Sequence, residues 1–269
     1  MSAAPSSLPA GHAGELVTVD HDAYGVAGAA RVTLNRPDAF NALSDALLGE
    51  LQAALDALAV ADARVVVIAA AGRAFCAGHD LKEMRANPSR DYYAQLFARC
   101  SKTMLTIQRM PQPVIARVHG VATAAGCQLV AMCDLAVASE AARFAVSGIN
   151  LGLFCSTPAV PLTRSLSRKA AFEMLMTGEF IDAQTALREG LVNRVVAEGE
   201  LDAAVAALAA TICAKPRDAV RAGKGLFYRQ LEMGIEAAYQ LAGQTMAANM
   251  IADCALDGVQ AFIERRGAK

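Results

Sequence analysis

The chain lacks any excess of positive charge: its 269 residues carry 25 Lys and Arg against 26 Asp and Glu, a formal net charge of −1. Binding to phosphate backbones needs a clustered basic surplus, and the nearest thing to a basic run is Arg265-Arg266, which argues against a nucleic-acid partner. It also lacks the run of about 18 apolar residues that a membrane-crossing helix requires. Although 55% of residues are hydrophobic and the mean hydropathy is +0.32, Val65–Gly72 is bounded by Arg64 and Arg73, and Gly120–Cys133 carries Thr123 and Gln128. The expectation is a soluble protein with no membrane partner. No two of the seven cysteines form a Cys-x-x-Cys pair, so neither a disulfide framework nor a metal site is expected. No Lys or Arg precedes Arg31, whereas a secretory leader has a basic start and a mitochondrial presequence has arginines. Residues 1–14 are therefore expected to be a mobile tail and the protein cytoplasmic. A charged fraction of 19% excludes extended disorder elsewhere.

What is present is a succession of strand and helix signals. Leu16–Asp20 and Ala30–Leu34 predict short strands joined through Tyr24-Gly25 and Gly28, and Asn35-Arg36-Pro37-Asp38 breaks the pattern. Ser44 is placed to cap a helix whose stripe is Leu47, Leu51, Leu55 and Leu58. Val65–Ile68 is a continuous β-branched run, the mark of a strand buried on both faces, and Val114–Val118 and Leu135–Ala138 are read as further strands. Helices are predicted over Tyr92–Met110, Gln128–Cys133, Lys169–Met176 and, capped by Asp182, as far as Glu189. A last short strand, Leu191–Val196, precedes helices over Leu201–Ala214, Arg217–Met250 (more than one) and Asp257–Arg266. This is an α/β core over residues 15–196 followed by a helical region over 197–269, with no linker between them.

Two loops stand out. Arg73-Ala74-Phe75-Cys76-Ala77-Gly78-His79-Asp80 and His119-Gly120-Val121-Ala122-Thr123-Ala124-Ala125-Gly126 each leave a buried strand through small residues. Small side chains admit a ligand close to the backbone, and a turn into a helix leaves N–H groups without partners. Two such loops side by side can aim two donors at one oxygen, an arrangement that stabilises a developing negative charge by roughly 3 kcal/mol per donor. Tight strand–helix packing accounts for the same composition, and on these residues alone both readings stand.

Asn35-Arg36-Pro37, Asn41-Ala42-Leu43, Ala74-Phe75-Cys76-Ala77-Gly78-His79-Asp80-Leu81-Lys82-Glu83, Gly126-Cys127-Gln128-Leu129, Met132-Cys133-Asp134 and Gly190-Leu191-Val192 occur in that order. With them, the chain from about Glu15 to Arg266 resembles the enoyl-CoA hydratase/isomerase (crotonase) superfamily. The resemblance implies a spiral of ββα units, a C-terminal helical trimerisation region, and homotrimers or dimers of trimers. It implies an acyl-CoA substrate, with CoA carried as part of that substrate and no separate cofactor. The thioester carbonyl would be held by two backbone N–H groups, carried over to Ala77 and to Ala125, which stands where the family usually has glycine. Ala77, Gly78, His79 and Asp80 would line the pantetheine and thioester, with Gly126 in the second loop. Ala39 and Phe40 would lie near the nucleotide, and Phe262 and Arg265 would reach CoA from a neighbouring subunit. Asp38 replaces a common lysine.

The resemblance also implies two glutamates that activate water and protonate the substrate, and neither is present. Gln128 and Gly148 occupy their positions. An amide holds water but cannot take its proton, and loss of each acid/base group costs roughly 10²–10⁴ in rate. Gln128→Glu with Gly148→Glu is then expected to restore hydration. Leu153-Phe154-Cys155-Ser156-Thr157-Pro158 departs from the family's glycine-rich turn and, with Gly78-His79-Asp80-Leu81, is similar to the domain-containing proteins of the third type. His79, a base near neutral pH, is a candidate replacement, with Cys155, Ser156 and Glu83 behind it. His119 is read as bracing its loop, and Asp134 and Glu173 as structural. Two functions follow from the resemblance: an enzyme acting through the paired amides, or a catalytically silent acyl-CoA-binding or hetero-oligomerising paralogue.

Overall fold

The computed structural model describes residues 15–267, so the expected tail over residues 1–14 lies outside them. Strand β1 (Val17–Asp20) runs antiparallel to β2 (Ala29–Leu34), across a turn in which Asp22 Oδ1 accepts from the Gly28 amide at 2.8 Å. Helix α1 (Asp45–Val60) starts where expected, the Ser44 hydroxyl accepting from the Leu47 amide, and buries Leu47, Leu51, Leu55 and Leu58 together with Leu48. Then come β3 (Val65–Ala70), β4 (Ala74–Cys76), α2 (Leu81–Ala86) and α3 (Arg90–Arg109). The next unit is β5 (Val114–Val118), β6 (Val121–Thr123) and α4 (Ala125–Met132), and a third is β7 (Leu135–Ser139), β8 (Arg143–Ala145) and α5 (Ser156–Ser165).

The repeat is therefore strand, short second strand, helix. The long strands run in the order β1-β2-β3-β5-β7 in one sheet, and β4, β6 and β8 lie side by side in a second, smaller sheet. The sequence pattern shows β4, β6 and β8 only as small-residue loops or not at all, because three residues are too few to display an alternation. The remainder comprises α6 (Arg168–Thr177), β9 (Ile181–Asp182) on the edge of the small sheet, α7 (Ala183–Glu189) and β10 (Arg194–Val196) on the edge of the large one. Helices α8 (Leu201–Cys213), α9 (Arg217–Leu231), α10 (Ile235–Met250) and α11 (Asp253–Gly267) complete the described chain. The Arg217–Met250 stretch, expected to hold more than one helix, holds two, with Gly234 capping the second, and α5 begins ahead of Pro161. Pro158 falls in its first turn, where no intrahelical donor is needed.

The large sheet is covered on both faces, which is why its strands read as continuous apolar runs. Val66 and Ile68 face the main core with α1, α3 and α4, whereas Val65, Val67 and Ile115 pack under Leu201, Val205 and Ala209 of α8. Helix α9 is tied down by charge. Lys224 Nζ, on a side chain 6% exposed, donates to the Ile107 and Gln112 carbonyls at 2.8 Å and to Asp134 Oδ2 at 2.7 Å. Asp134 also accepts from the Val114 amide and the Tyr228 hydroxyl, in keeping with its expected structural role. Removing one member of a buried pair strands the other, at a cost of about 3–5 kcal/mol. Lys224→Met is therefore expected to lose about that much stability in denaturant unfolding; a loss below about 1 kcal/mol would mean that apolar packing alone holds α9.

Candidate functional site

The first loop is built against the segment after Arg36. Asn41 is fully buried, accepts from the Arg36 amide through Oδ1 at 2.8 Å, and donates through Nδ2 to the Ala71 and Ala74 carbonyls. Beyond it, the Ala77 amide donates to the Phe40 carbonyl (3.0 Å), Leu43 N to Gly78 O (2.7 Å) and Asp80 N to Leu43 O (3.2 Å). The last two bonds make a parallel bridge between Leu43 and His79. In such a bridge the bonds to Leu43 come from the peptide groups on either side of His79, and the N–H of His79 itself points to the opposite side. The geometry thus corrects the expectation for Ala77, whose N–H is occupied by Phe40, and leaves the His79 N–H without a backbone acceptor.

The second loop turns at Ala124, which has φ 51° and ψ −119°, a conformation costing a non-glycine residue about 1–3 kcal/mol. Its own N–H donates to Ala145 O (2.9 Å) and its carbonyl accepts from Gln128 N (3.0 Å). That strained turn starts α4 with the Ala125 N–H outside the helical ladder. The two loops touch: a Cβ added to Gly78 would lie 2.9 Å from Ala124 Cβ and 3.2 Å from Ala125 N, and one added to Gly126 would overlap the Cys76 carbonyl oxygen. Glycine is required at both places, and the contact brings the His79 and Ala125 amides together.

Ala77, His79, Ala124 and Ala125 line one end of a cavity of about 300 Å³. Its sides are apolar, with Leu81, Met84 and Phe97 on one flank and Leu151, Leu153, Phe154 and Pro158 on the other. Gly148 and Cys155 line it too. Gln128 does not line it: it is 3% exposed, and its Oε1 is buried without a hydrogen-bond partner. Gly148 cannot take a glutamate as it stands. A Cβ there would meet Cys155 Sγ at 2.7 Å and the Leu153 carbonyl at 2.8 Å, so the departing segment fills the space and corrects the expectation that two substitutions restore a carboxylate pair.

The other expected residues brace the site. Asp80 pairs with Arg36 (2.7 Å) and caps α2 by accepting from the Lys82 and Glu83 amides. Partial burial would raise its pKa, but the Arg36 guanidinium and the capping amides outweigh this and hold the carboxyl below its ordinary value. Asp80, Gly78 and Gly126 are not on the cavity wall. Glu83, partly exposed on α2, accepts from the Asp45 amide at the start of α1 and is not swung into the cavity. His119 Nε2 contacts Gly72 O at 2.8 Å, bracing the loop as expected. Ser156 donates to Phe154 O, and Cys155 to Val146 O at 3.5 Å, with burial pushing the thiol upward.

Phe40 and Ala39 stand outside the cavity, and Arg73, which the sequence pattern left unassigned, sits with its guanidinium 4.4 Å from the Phe40 ring centre. Phe262 and Arg265 are on exposed α11, away from this cavity of their own chain. Among the described residues, no cluster of three or more His, Cys, Asp or Glu is placed to hold a metal, and no helix is long and apolar enough to cross a membrane.

His79 carries the most unusual side chain of the site. Its ring packs edge-on to Phe97, 5.5 Å between centroids, and both ring nitrogens are buried without a hydrogen-bond partner. Burial pushes its pKa below 6.5, outweighing the Leu43 carbonyl and the Asp45 carboxylate, so the imidazole is neutral.

A ββα spiral carrying two small-residue loops over an apolar cavity is the architecture of the crotonases. A family model for enoyl-CoA hydratase/isomerase matches residues 25–269, and the chain belongs to that family. Within it, the chain is similar to the subgroup of enoyl-CoA hydratase domain-containing protein 3. The mitochondrial protein of that name from Mus musculus is 47% identical over 240 residues, covering 89% of this chain and 80% of that one. The solved human protein of that name is 44% identical, with a TM-score of 0.89, covering 93% of this chain and 98% of the other. A solved enoyl-CoA hydratase from Mycobacterium smegmatis is 63% identical, with a TM-score of 0.91, covering 93% and 97%. The expectation of a cytoplasmic protein is overturned here: the mouse, rat and human relatives are named mitochondrial, against an inference drawn only from missing basic residues near the N-terminus.

Two outcomes test the site's construction. Gly126→Ala forces the loops apart at the Cys76 carbonyl, and is expected to cost about 1–3 kcal/mol in unfolding measurements; wild-type stability would show that the contact yields easily. Because the folded pKa of His79, and likewise of half-buried His119, lies below that of the unfolded chain, the unfolded state takes up protons first as pH falls. Stability is then full at about pH 7.5 and declines toward about pH 5.5. His79→Gln should flatten part of this slope in pH-dependent denaturation. An unchanged slope would place its origin elsewhere. The Asp80 contribution, from a depressed carboxyl, is lost in a separate and lower window, as pH falls through the carboxylate range.

Proposed function

We propose that this protein binds an acyl-CoA in the cavity, with the thioester carbonyl oxygen accepting from the His79 and Ala125 amides. The observation that carries this reading is the pairing of two amides without backbone partners, from two loops in contact at the end of an apolar cavity. Donors fixed in place before the reaction stabilise an enolate or a tetrahedral oxyanion more than the neutral carbonyl. The apolar flanks suit an acyl chain, and Arg73 on Phe40 offers a cation to the phosphates at the expected nucleotide end. The chain is read as an enzyme of the hydratase/isomerase family whose usual glutamates are replaced by Gln128 and Gly148. Helices α9, α10 and α11 expose Phe227, Tyr239, Met246 and Ile263, which suits a homotrimer in which Phe262 and Arg265 of one subunit approach the CoA of the next. One observation favours a silent acyl-CoA-binding paralogue instead: among the described residues, no carboxylate lines the cavity.

The test compares butyryl-CoA with S-butyl-CoA, the thioether lacking the carbonyl, by titration calorimetry. Two hydrogen bonds at about 0.5–1.5 kcal/mol each predict a preference for the thioester of roughly fivefold or greater. Equal affinity would remove the carbonyl from the amides. Hydration of crotonyl-CoA, followed by loss of the enoyl absorbance, is expected to fall at least about 10²-fold below that of a hydratase with both glutamates; an equal rate would show that the carboxylates are dispensable.

A further inference from the structure

We propose that Asn41 is the positioning residue of the paired amides, holding the first loop in the register that turns the His79 N–H toward a carbonyl oxygen. The inference rests on the reading of the cavity as an acyl-thioester site. Strain carries the first half of it. Phe40 and Asn41 are consecutive left-handed residues, with φ of 52° and 54°, a conformation that a bulky aromatic rarely adopts. Such a turn persists only where its surroundings over-determine it. Here the Asn41 side chain does so with every polar atom in use. Its Oδ1 accepts from the Arg36 amide, and its Nδ2 donates to the Ala71 and Ala74 carbonyls, on either side of the turn between β3 and β4. The Asn41 backbone adds two more bonds, its N–H donating to the Arg36 carbonyl at 2.9 Å and its carbonyl accepting from the Cys76 thiol at 3.2 Å.

Connectivity carries the second half. The carbonyl of Phe40, inside this cross-bonded loop, takes the Ala77 N–H, and Leu43, two residues beyond Asn41, bonds the peptide groups on either side of His79. The three bonds that fix the first loop therefore all end on the segment that Asn41 holds. Without its side chain the turn is free to relax, the Phe40 carbonyl leaves Ala77, and the bridge at Leu43 loses its register. The His79 N–H then no longer converges with that of Ala125. Asn41 is fully buried and off the cavity wall, so its influence on a bound carbonyl passes through the backbone alone. A residue that merely filled space there would change stability and leave the discrimination between two ligands untouched.

The probes are butyryl-CoA and S-butyl-CoA, titrated into Asn41→Gly, which keeps the left-handed freedom of the backbone and loses all three side-chain bonds. Affinity for S-butyl-CoA is expected within about threefold of wild type, while the preference for the thioester falls from roughly fivefold or more to below about twofold. Loss of folded protein alone lowers both affinities together and leaves their ratio unchanged. Backbone amide exchange of the wild-type protein, resolved by NMR, needs no variant. The Ala77 amide is expected to be protected with and without ligand, and the His79 amide to gain protection from butyryl-CoA but not from S-butyl-CoA. A wild-type preference kept by folded Asn41→Gly, or an Ala77 amide that exchanges freely in the unliganded protein, would overturn the positioning role while leaving the acyl-CoA reading intact. Equal affinities in the wild type would remove carbonyl recognition itself, and this role with it.

Discussion

The site depends on one steric constraint, the contact of two loops that leave different strands and meet with no side chain between them. Gly126 lies beneath the Cys76 carbonyl and Gly78 against Ala124, so the His79 and Ala125 amides are neighbours because no Cβ separates the backbones. Everything around this contact keeps it in register. The parallel bridge to Leu43 assigns the peptide groups beside His79 and turns its own amide away, Asn41 fastens the preceding segment to β3's end, and His119 ties the second loop to Gly72. Strain at Ala124 is tolerated because its own N–H and carbonyl are both bonded, to Ala145 and Gln128.

The scaffold supplies rigidity from a distance. A sheet buried on both faces gives the two loops a common floor, and the charged anchor at Asp134 fastens α9 to the strand that leads into the second of them. Lys224 has all three donors satisfied, and Asp134 accepts from Lys224, Tyr228 and Val114, which is the condition under which buried charges hold a specific arrangement rather than weaken it.

Much of this was legible in the chain itself. Ser44, Asp182 and the leucine stripe of α1 mark their helices through local chemistry, and Val65–Ile68 announces a doubly covered strand. The family motifs pointed to both loops and to Ala125. What escaped were features without a local signature. Three-residue strands such as β4 and β6 are defined by their partners, not their composition. The identity of the free donor, His79 in place of Ala77, depends on which carbonyls Leu43 and Phe40 present from more than thirty residues earlier. Motif position puts Gln128 in place of a water-activating glutamate, whereas its orientation, buried and off the cavity wall, is set by packing within the core.

The segment after Leu151 also decides how this wall of the cavity can be redesigned. With the Leu153 carbonyl and Cys155 sulfur seated where a side chain at position 148 would start, any residue other than glycine there obliges its neighbours to move. Engineering of this wall therefore begins with the backbone around Leu153, and a side chain for position 148 is chosen only afterwards.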